Sequence, residues 1–302
     1  MSLCANCGKG EEAGSSLKAC TACKLVKYCN RECQIAHRPQ HKKECKKRAK
    51  ELHDEKLFKQ PPPKEDCPIC MIRLPILESG RMFMACCGKM ICIGCIHAPV
   101  YDDLGNEVVE KGCAFCRAPV SRSSTKDEEL IRQFEKRTEL NDFYAIYSMG
   151  CYYAQGENGL SQNDAKALEL FHRAGDLGCA DAHFNLGLIY NRGILGVEMN
   201  KKKAIHYWEL AAMEGHVTAR NRLGETEGLA GNKDRALKHF MIAARDGNLR
   251  SLENIKTMYK NGYTTKDDYA KALRSYQTYL GEVKSRQRDE AAAAHDVFKY
   301  YE

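Results

Sequence analysis

Beyond residue 120 the apolar positions recur every three or four residues, the period of an amphipathic helix. The stretch LIRQFEKRTEL follows Thr125-x-x-Glu128, a capping-box spacing, and predicts a helix that buries Ile131, Phe134 and Leu140. The pattern then repeats. Three segments beginning AIYSMG, AHFNLG and ARNRLG align so that Gly150, Gly187 and Gly224 stand 37 residues apart. A fourth copy, SLENIKTMYKNGYTTKDDYAKALRSYQTYL, lacks the leading Leu-Gly. Ala167, Ala204, Ala236 and Ala272 fall at equivalent points of the second helix of each unit. Each unit reads as helix, Gly-containing loop, helix. One such pair cannot bury its apolar stripe alone, so neighbours must stack into an all-α solenoid. Phe171, Tyr190, Tyr207, Trp208 and Phe240 are assigned to its core, and the Ala-rich tail after Val283 to a final capping helix.

The front of the chain has no such period. Its signal is cysteine: 15 of the 17 lie between Cys4 and Cys116, with only Cys151 and Cys179 beyond. Cys67/Cys70, Cys92/Cys95 and Cys113/Cys116 are Cys-x2-Cys pairs, and Cys86/Cys87 are adjacent. That spacing brings two thiolates to one tetrahedral zinc from a tight turn, and eight donors suit two ions. Residues 1–66 repeat the arithmetic with Cys4-x2-Cys7, Cys20-x2-Cys23, Cys29-x3-Cys33 and His41-x3-Cys45. An x3 spacing puts two donors one helical turn apart, which predicts short helices under the last two pairs. So small a segment cannot fold on apolar burial alone. Each structural zinc would supply on the order of 10 kcal/mol. About four zinc ions are therefore expected.

CANC, CTAC, KYC, RECQ and HKKEC together resemble the MYND-type zinc finger. The resemblance implies that Cys4, Cys7, Cys29 and Cys33 share one zinc, and that Cys20, Cys23, His41 and Cys45 share the other. His37, four residues before His41, falls outside that pattern. MYND fingers bind short proline-containing peptides, and the matching groove positions here are Thr21 and Gln34. Where the family often has tryptophan, this chain has Arg38-Pro39, which removes an aromatic wall. Some MYND fingers interrupt a methyltransferase SET domain, but no SET-like sequence follows.

Cys67–Cys116 resembles a RING finger. By that resemblance Cys67, Cys70, Cys92 and Cys95 form one site, and Cys86, Cys87, Cys113 and Cys116 the other. The usual RING histidine is replaced by Lys89, which cannot bind zinc while protonated. Either Cys86 supplies the missing donor, or the second site has three protein ligands, or His97 completes it. Active RING ligases hold a ubiquitin-conjugating enzyme through an apolar residue in the first zinc loop, here Ile69. A basic residue after the last cysteine assists, here Arg117. Ala114 replaces a common proline, and Pro99 and Val100 stand where a large aromatic is frequent. The paired-helix segments resemble Sel1-like repeats, relatives of the tetratricopeptide repeat. That resemblance implies an adaptor whose concave face holds a partner protein.

The expected organisation is multidomain: two small cross-braced zinc fingers followed by the all-α solenoid. The boundaries are a MYND-type finger at 1–48, a basic helix and proline linker at 49–63, a RING-like finger at 64–120 and the repeats at 121–302. Net charge is +7, and residues 1–66 carry 15 Lys or Arg against 9 Asp or Glu, so six of those charges sit there. The run Lys42–Lys50 is either a nuclear-import signal or a polar helix face. Aromatic residues other than Tyr28 are missing from residues 24–50, which argues against nucleic acid as the partner. No run approaches a membrane span and no signal-peptide core is seen, so a reducing intracellular compartment, cytoplasm or nucleus, is expected. There is no phosphate loop, no Ser/His/Asp set and no catalytic acid pair. Two functions fit: a RING-type ubiquitin ligase whose substrate is chosen by the other modules, or a non-enzymatic zinc-containing scaffold.

Overall fold

The computed structural model describes residues 2–11, 16–99, 112–119 and 126–301. Thr125 and Val100 lie outside them, and so does the capping box expected at Thr125. The chain divides into two compact units, Met1–Gln60 and Pro61–Glu302.

In the first unit β1 (Lys18–Ala19) pairs antiparallel with β2 (Lys27–Tyr28), and α1 (Arg31–Leu57) follows. Asn30 caps α1, its side-chain oxygen accepting from the Cys33 N–H at 2.8 Å. The short helices expected under Cys29/Cys33 and His41/Cys45 are one helix of 27 residues, with Cys29 just ahead of its cap. Pro39 lies inside it. Proline removes one ladder hydrogen bond. The helix continues because Cys33 before it and His41 and Cys45 after it are tied to separate clusters. The core of this unit is small: Cys4, Leu17, Cys20, Cys23 and Tyr28.

The second unit begins with a hairpin, β3 (Arg81–Met84) against β4 (Lys89–Cys92), with Arg81 opposite Cys92 and Met84 opposite Lys89. The short helix α2 (Ile93–His97) follows directly. Ten further helices are described: α3 (Lys126–Glu139), α4 (Phe143–Gln155), α5 (Asp164–Asp176), α6 (Ala180–Arg192), α7 (Lys201–Met213), α8 (Val217–Leu229), α9 (Lys233–Arg245), α10 (Leu249–Lys260), α11 (Lys266–Val283) and α12 (Arg286–Ala294). Four pairs, α4/α5 to α10/α11, form the solenoid. Ile131 and Phe134 of α3 are buried against the first pair. Leu140, expected beside them, is 73% exposed, because α3 stops at Glu139 and Leu140 falls in the turn.

The repeated sequence features have a packing cause. A methyl group on Gly187 would come within 2.2 Å of the Trp208 indole, and one on Gly150 or Gly224 within 3 Å of Phe171 or Phe240. Each of these glycines lets the first helix of a pair lie on an aromatic ring of the second. Ala167, Ala204, Ala236 and Ala272 of the second helices are buried. Asn163 and Asn200 cap α5 and α7, and a capping box at Thr265 and Asp268 starts α11. The turns after α4 and α6 begin with Gly156 and Gly193 in the left-handed conformation.

The cysteine-rich hairpin of this unit is built into the solenoid. Phe83 packs on Phe134 and Tyr144, with ring centres 5.9 and 5.8 Å apart. The Ile76 N–H donates to the Tyr279 hydroxyl at 3.1 Å. Arg73 lies over the Tyr279 ring and pairs with Asp246 and Glu282. Arg81 pairs with Asp181, which also meets His216 at 3.3 Å. The tail helix α12 packs on α2, and its Ala292 also lies against Tyr279 and Val283 at the end of α11.

Two glycine substitutions test this packing. Gly187→Ala should lower unfolding free energy by about 1–3 kcal/mol through collision with Trp208. Gly281→Ala, whose new methyl group meets nothing within 4 Å, should raise it by about 0.5–1 kcal/mol. Urea denaturation of each variant against the parent chain measures both.

Candidate metal centres

Four turns of one kind each present a Cys-x2-Cys pair to one of the clusters. In Cys4–Gly8, Cys20–Lys24, Cys67–Met71 and Cys113–Arg117, the last N–H donates to the carbonyl of the first cysteine at 2.9, 3.0, 2.9 and 2.9 Å. The last residue of each has positive φ: 74° at Gly8, 59° at Lys24, 56° at Met71 and 63° at Arg117. Three of these are not glycine and carry the local strain of a left-handed residue. The turn aims both sulfurs of a Cys-x2-Cys pair at one point. Cys92 and Cys95 reach theirs from the end of β4 and from α2.

The sixteen predicted donors fall together in four groups. These are Cys4/Cys7/Cys29/Cys33, Cys20/Cys23/His41/Cys45, Cys67/Cys70/Cys92/Cys95 and Cys86/Cys87/Cys113/Cys116, each with all donor atoms within 4.8 Å of one another. Four sulfurs on a tetrahedral zinc at 2.3 Å stand about 3.8 Å apart. Here Cys7 and Cys29 are 3.7 Å apart, Cys20 and Cys45 3.8 Å, Cys70 and Cys92 3.8 Å, and Cys87 and Cys113 3.9 Å. His41 Nε2 is 3.2 Å from Cys23 Sγ. A disulfide would need about 2.05 Å, and all 17 cysteines are free thiols. The clusters therefore fit about four zinc ions.

The electrostatics agree. Cys67 is lowered to about 4, chiefly by the Cys92 thiol that hydrogen-bonds it. Cys4 falls to about 6 through the N–H of Cys7 and then that of Cys29. Other cysteines of the clusters move the other way. Cys29 is pushed up to about 12 by its contact with Cys33, and Cys45 to about 12 by burial and then by Cys20. Crowded sulfurs cannot all ionise against one another. A divalent cation at the centre supplies the attraction that lets all four do so.

At the Cys86/Cys87/Cys113/Cys116 group the candidate donors stand apart in space. Cys86 stands 3.6 Å from Cys116 inside that cluster. Lys89 extends over the Phe115 ring, 5.9 Å from its centre, and His97 packs tilted against Phe298, with ring centres 4.3 Å apart. His37 is outside the donor set as well. It lies parallel to the His41 ring at 5.7 Å, and its Nδ1 is 3.1 Å from the Tyr28 hydroxyl, so it braces the neighbouring imidazole.

Of the positions expected to meet partners, Ile69 is 41% exposed and Arg117 is exposed. Thr21 is exposed, and Gln34 is half-buried on α1. Leu25 and Ile35, exposed apolar side chains close to these two in sequence, had not been singled out. Two arginines of the helical region also escaped notice. Arg137 donates from Nε to the Ala85 carbonyl at 3.2 Å and from Nη2 to the Cys86 carbonyl at 3.3 Å. Arg288 reaches the Cys70 sulfur at 3.8 Å.

A MYND finger model matches residues 4–45, and a Sel1 repeat model matches 143–179, 180–216 and 217–248. The chain carries a MYND finger and Sel1 repeats. Neither model covers Cys67–Cys116. Among solved structures, a Sel1 repeat protein from Oxalobacter formigenes is 28% identical over 52% of this chain and 64% of its own, with a TM-score of 0.45. The protective antigen c5321 of uropathogenic Escherichia coli, which displays an SLR fold, is 22% identical over 58% of this chain and 43% of its own, also at 0.45. The matched segments thus span less than two thirds of either solved chain. No curated protein matches. Both modules are protein-interaction modules, which supports an adaptor or scaffold role. Among the described residues no helix is long and apolar enough to cross a membrane.

Purified protein should contain four zinc ions per chain by elemental mass spectrometry. His41→Ala should lose one and weaken the MYND unit, whereas His37→Ala should keep all four. Loss of zinc from His37→Ala with retention in His41→Ala would reverse the assignment.

Proposed function

We propose that this protein is a zinc-assembled adaptor whose Cys67–Cys116 module is a RING-type finger recruiting a ubiquitin-conjugating enzyme. The MYND finger and Sel1 repeats would choose the protein that is modified. The working boundaries are those expected from the sequence: 1–48 for the MYND finger, 64–120 for the RING-type finger and 121–302 for the repeats. The observation that carries the reading is the interleaving of the two clusters, first pair with third and second with fourth, while Ile69 and Arg117 stay at the surface. Ile69 would pack against the conjugating enzyme, and Arg117 would hydrogen-bond it and ubiquitin. No nucleophile of this chain is then required, because the catalytic gain comes from holding the ubiquitin thioester in a reactive geometry. Seventeen free thiols suit a reducing interior, cytoplasm or nucleus.

A second reading, a scaffold without ligase activity, is favoured by the packing of α12 on α2. In that reading the zinc module is a rigid part of the repeat domain.

A reconstituted assay separates them. Zinc-loaded protein is mixed with activating enzyme, ubiquitin and a panel of conjugating enzymes. The ligase reading expects chain formation that falls about tenfold or more, about 1.4 kcal/mol, in Ile69→Ala and in Arg117→Ala with zinc content unchanged. Silence across the panel would favour the scaffold.

A further inference from the structure

Arg288 is fully buried in α12. Its Nη1 donates to the carbonyls of Arg73 and Val283, each at 2.7 Å, and its Nη2 donates to the Ile72 carbonyl at 3.1 Å and faces Cys70 Sγ at 3.8 Å. Three acceptors are neutral carbonyls and the fourth is a sulfur. None is a carboxylate. A buried guanidinium without a countercharge is strongly unfavourable. The nearby group able to carry negative charge is the cysteine cluster. Four thiolates around one divalent zinc leave two net negative charges, and three of these four cysteines are buried. The two charged groups satisfy each other.

The segment bearing Arg288 is held to the same module along its length. A side chain at Gly94 would collide with the Arg288 backbone nitrogen at 2.8 Å, and one at Gly80 with Tyr300 Cβ at 2.6 Å. Gln287 Oε1 lies 3.9 Å from Cys95 Sγ, Phe298 packs at a tilt against His97, and the Ser79 hydroxyl donates to the Lys299 carbonyl. Tyr300 is buried with Tyr279, Val283 and Ile76.

We propose that Arg288 is a positioning residue of the Cys67/Cys70/Cys92/Cys95 zinc centre, so that ion binding there and seating of residues 285–301 are one coupled event. The hydrogen bond from a fixed cation orients the Cys70 thiolate and lowers the cost of burying the centre's charge. With the ion removed, the four thiolates repel one another, separate and take up protons from solvent, so the guanidinium loses its countercharge and the segment leaves α2. The inference rests on zinc at these four cysteines and is independent of any ubiquitin chemistry.

The test uses the full-length zinc-loaded protein. Release is followed with the chromogenic chelator 4-(2-pyridylazo)resorcinol, and the freed cysteines are identified by alkylation and mass spectrometry. Arg288→Gln should release the ion of Cys67, Cys70, Cys92 and Cys95 about tenfold faster or more, leaving the other three unchanged. Arg288→Lys, which keeps the charge, should recover part of the loss. In the unmutated chain, hydrogen exchange over residues 285–301 should rise as that ion leaves. Unchanged release in Arg288→Gln would overturn the proposal. So would equal acceleration at all four centres, or an exchange pattern in 285–301 indifferent to the ion. A parent protein lacking zinc at these cysteines would overturn it as well.

Discussion

The constraint that governs the front of this molecule is sulfur held against sulfur. Sixteen donors stand in four groups at tetrahedral spacing, with most of the local core made of the cysteines themselves. Thiolates at that range repel, and protonated thiols offer only weak hydrogen bonds, so neither form alone explains the grouping. A divalent ion does. It replaces the apolar burial that residues 1–60 and the Cys67–Cys116 stretch are too small to obtain otherwise. Smaller details follow from it. The left-handed residues Lys24, Met71 and Arg117, the continuation of α1 through Pro39, and the bracing of His41 by His37 all serve to hold donors in place.

The second constraint is steric and belongs to the repeats. A glycine on one helix and an aromatic ring on the next set the depth of the first three pairs, and buried alanines keep the seam narrow. The module of residues 61–99 and 112–119 shares this unit with the solenoid. Its outer edge meets α3 and α4 through Phe83 and Ala85, its leading segment meets α11 through Arg73 and Ile76, and its helix meets α12. Zinc chemistry and helix packing thus join at named contacts, and at Arg137 and Arg288 a guanidinium from the helical region reaches a zinc loop.

What could be read from the sequence was whatever repeats or keeps a fixed spacing. The 37-residue interval is visible because one steric contact recurs, and cluster membership is visible because donors need set separations along the chain. Contacts made once were not legible. Arg288 sits in RQRDE, a polar run that reads as a solvated surface, and its burial is decided by a cluster more than two hundred residues earlier. The length of α1 was hidden by Pro39, which ordinarily ends a helix, because the ties that hold both sides come from other parts of the chain. Leu140 kept the helical period by one residue more than the helix itself. The positive-φ positions at Lys24, Met71 and Arg117 carry no sequence mark, since glycine, the usual sign, occurs only at Gly8.

X-ray absorption at the zinc edge addresses the central claim most directly, because it reads the atoms around the ion. Fifteen sulfurs and one nitrogen across the four groups predict a shell dominated by sulfur at about 2.3 Å, with a minor nitrogen contribution near 2.0 Å. A shell dominated by oxygen or nitrogen, or an absorption edge showing no zinc above background, would contradict the account.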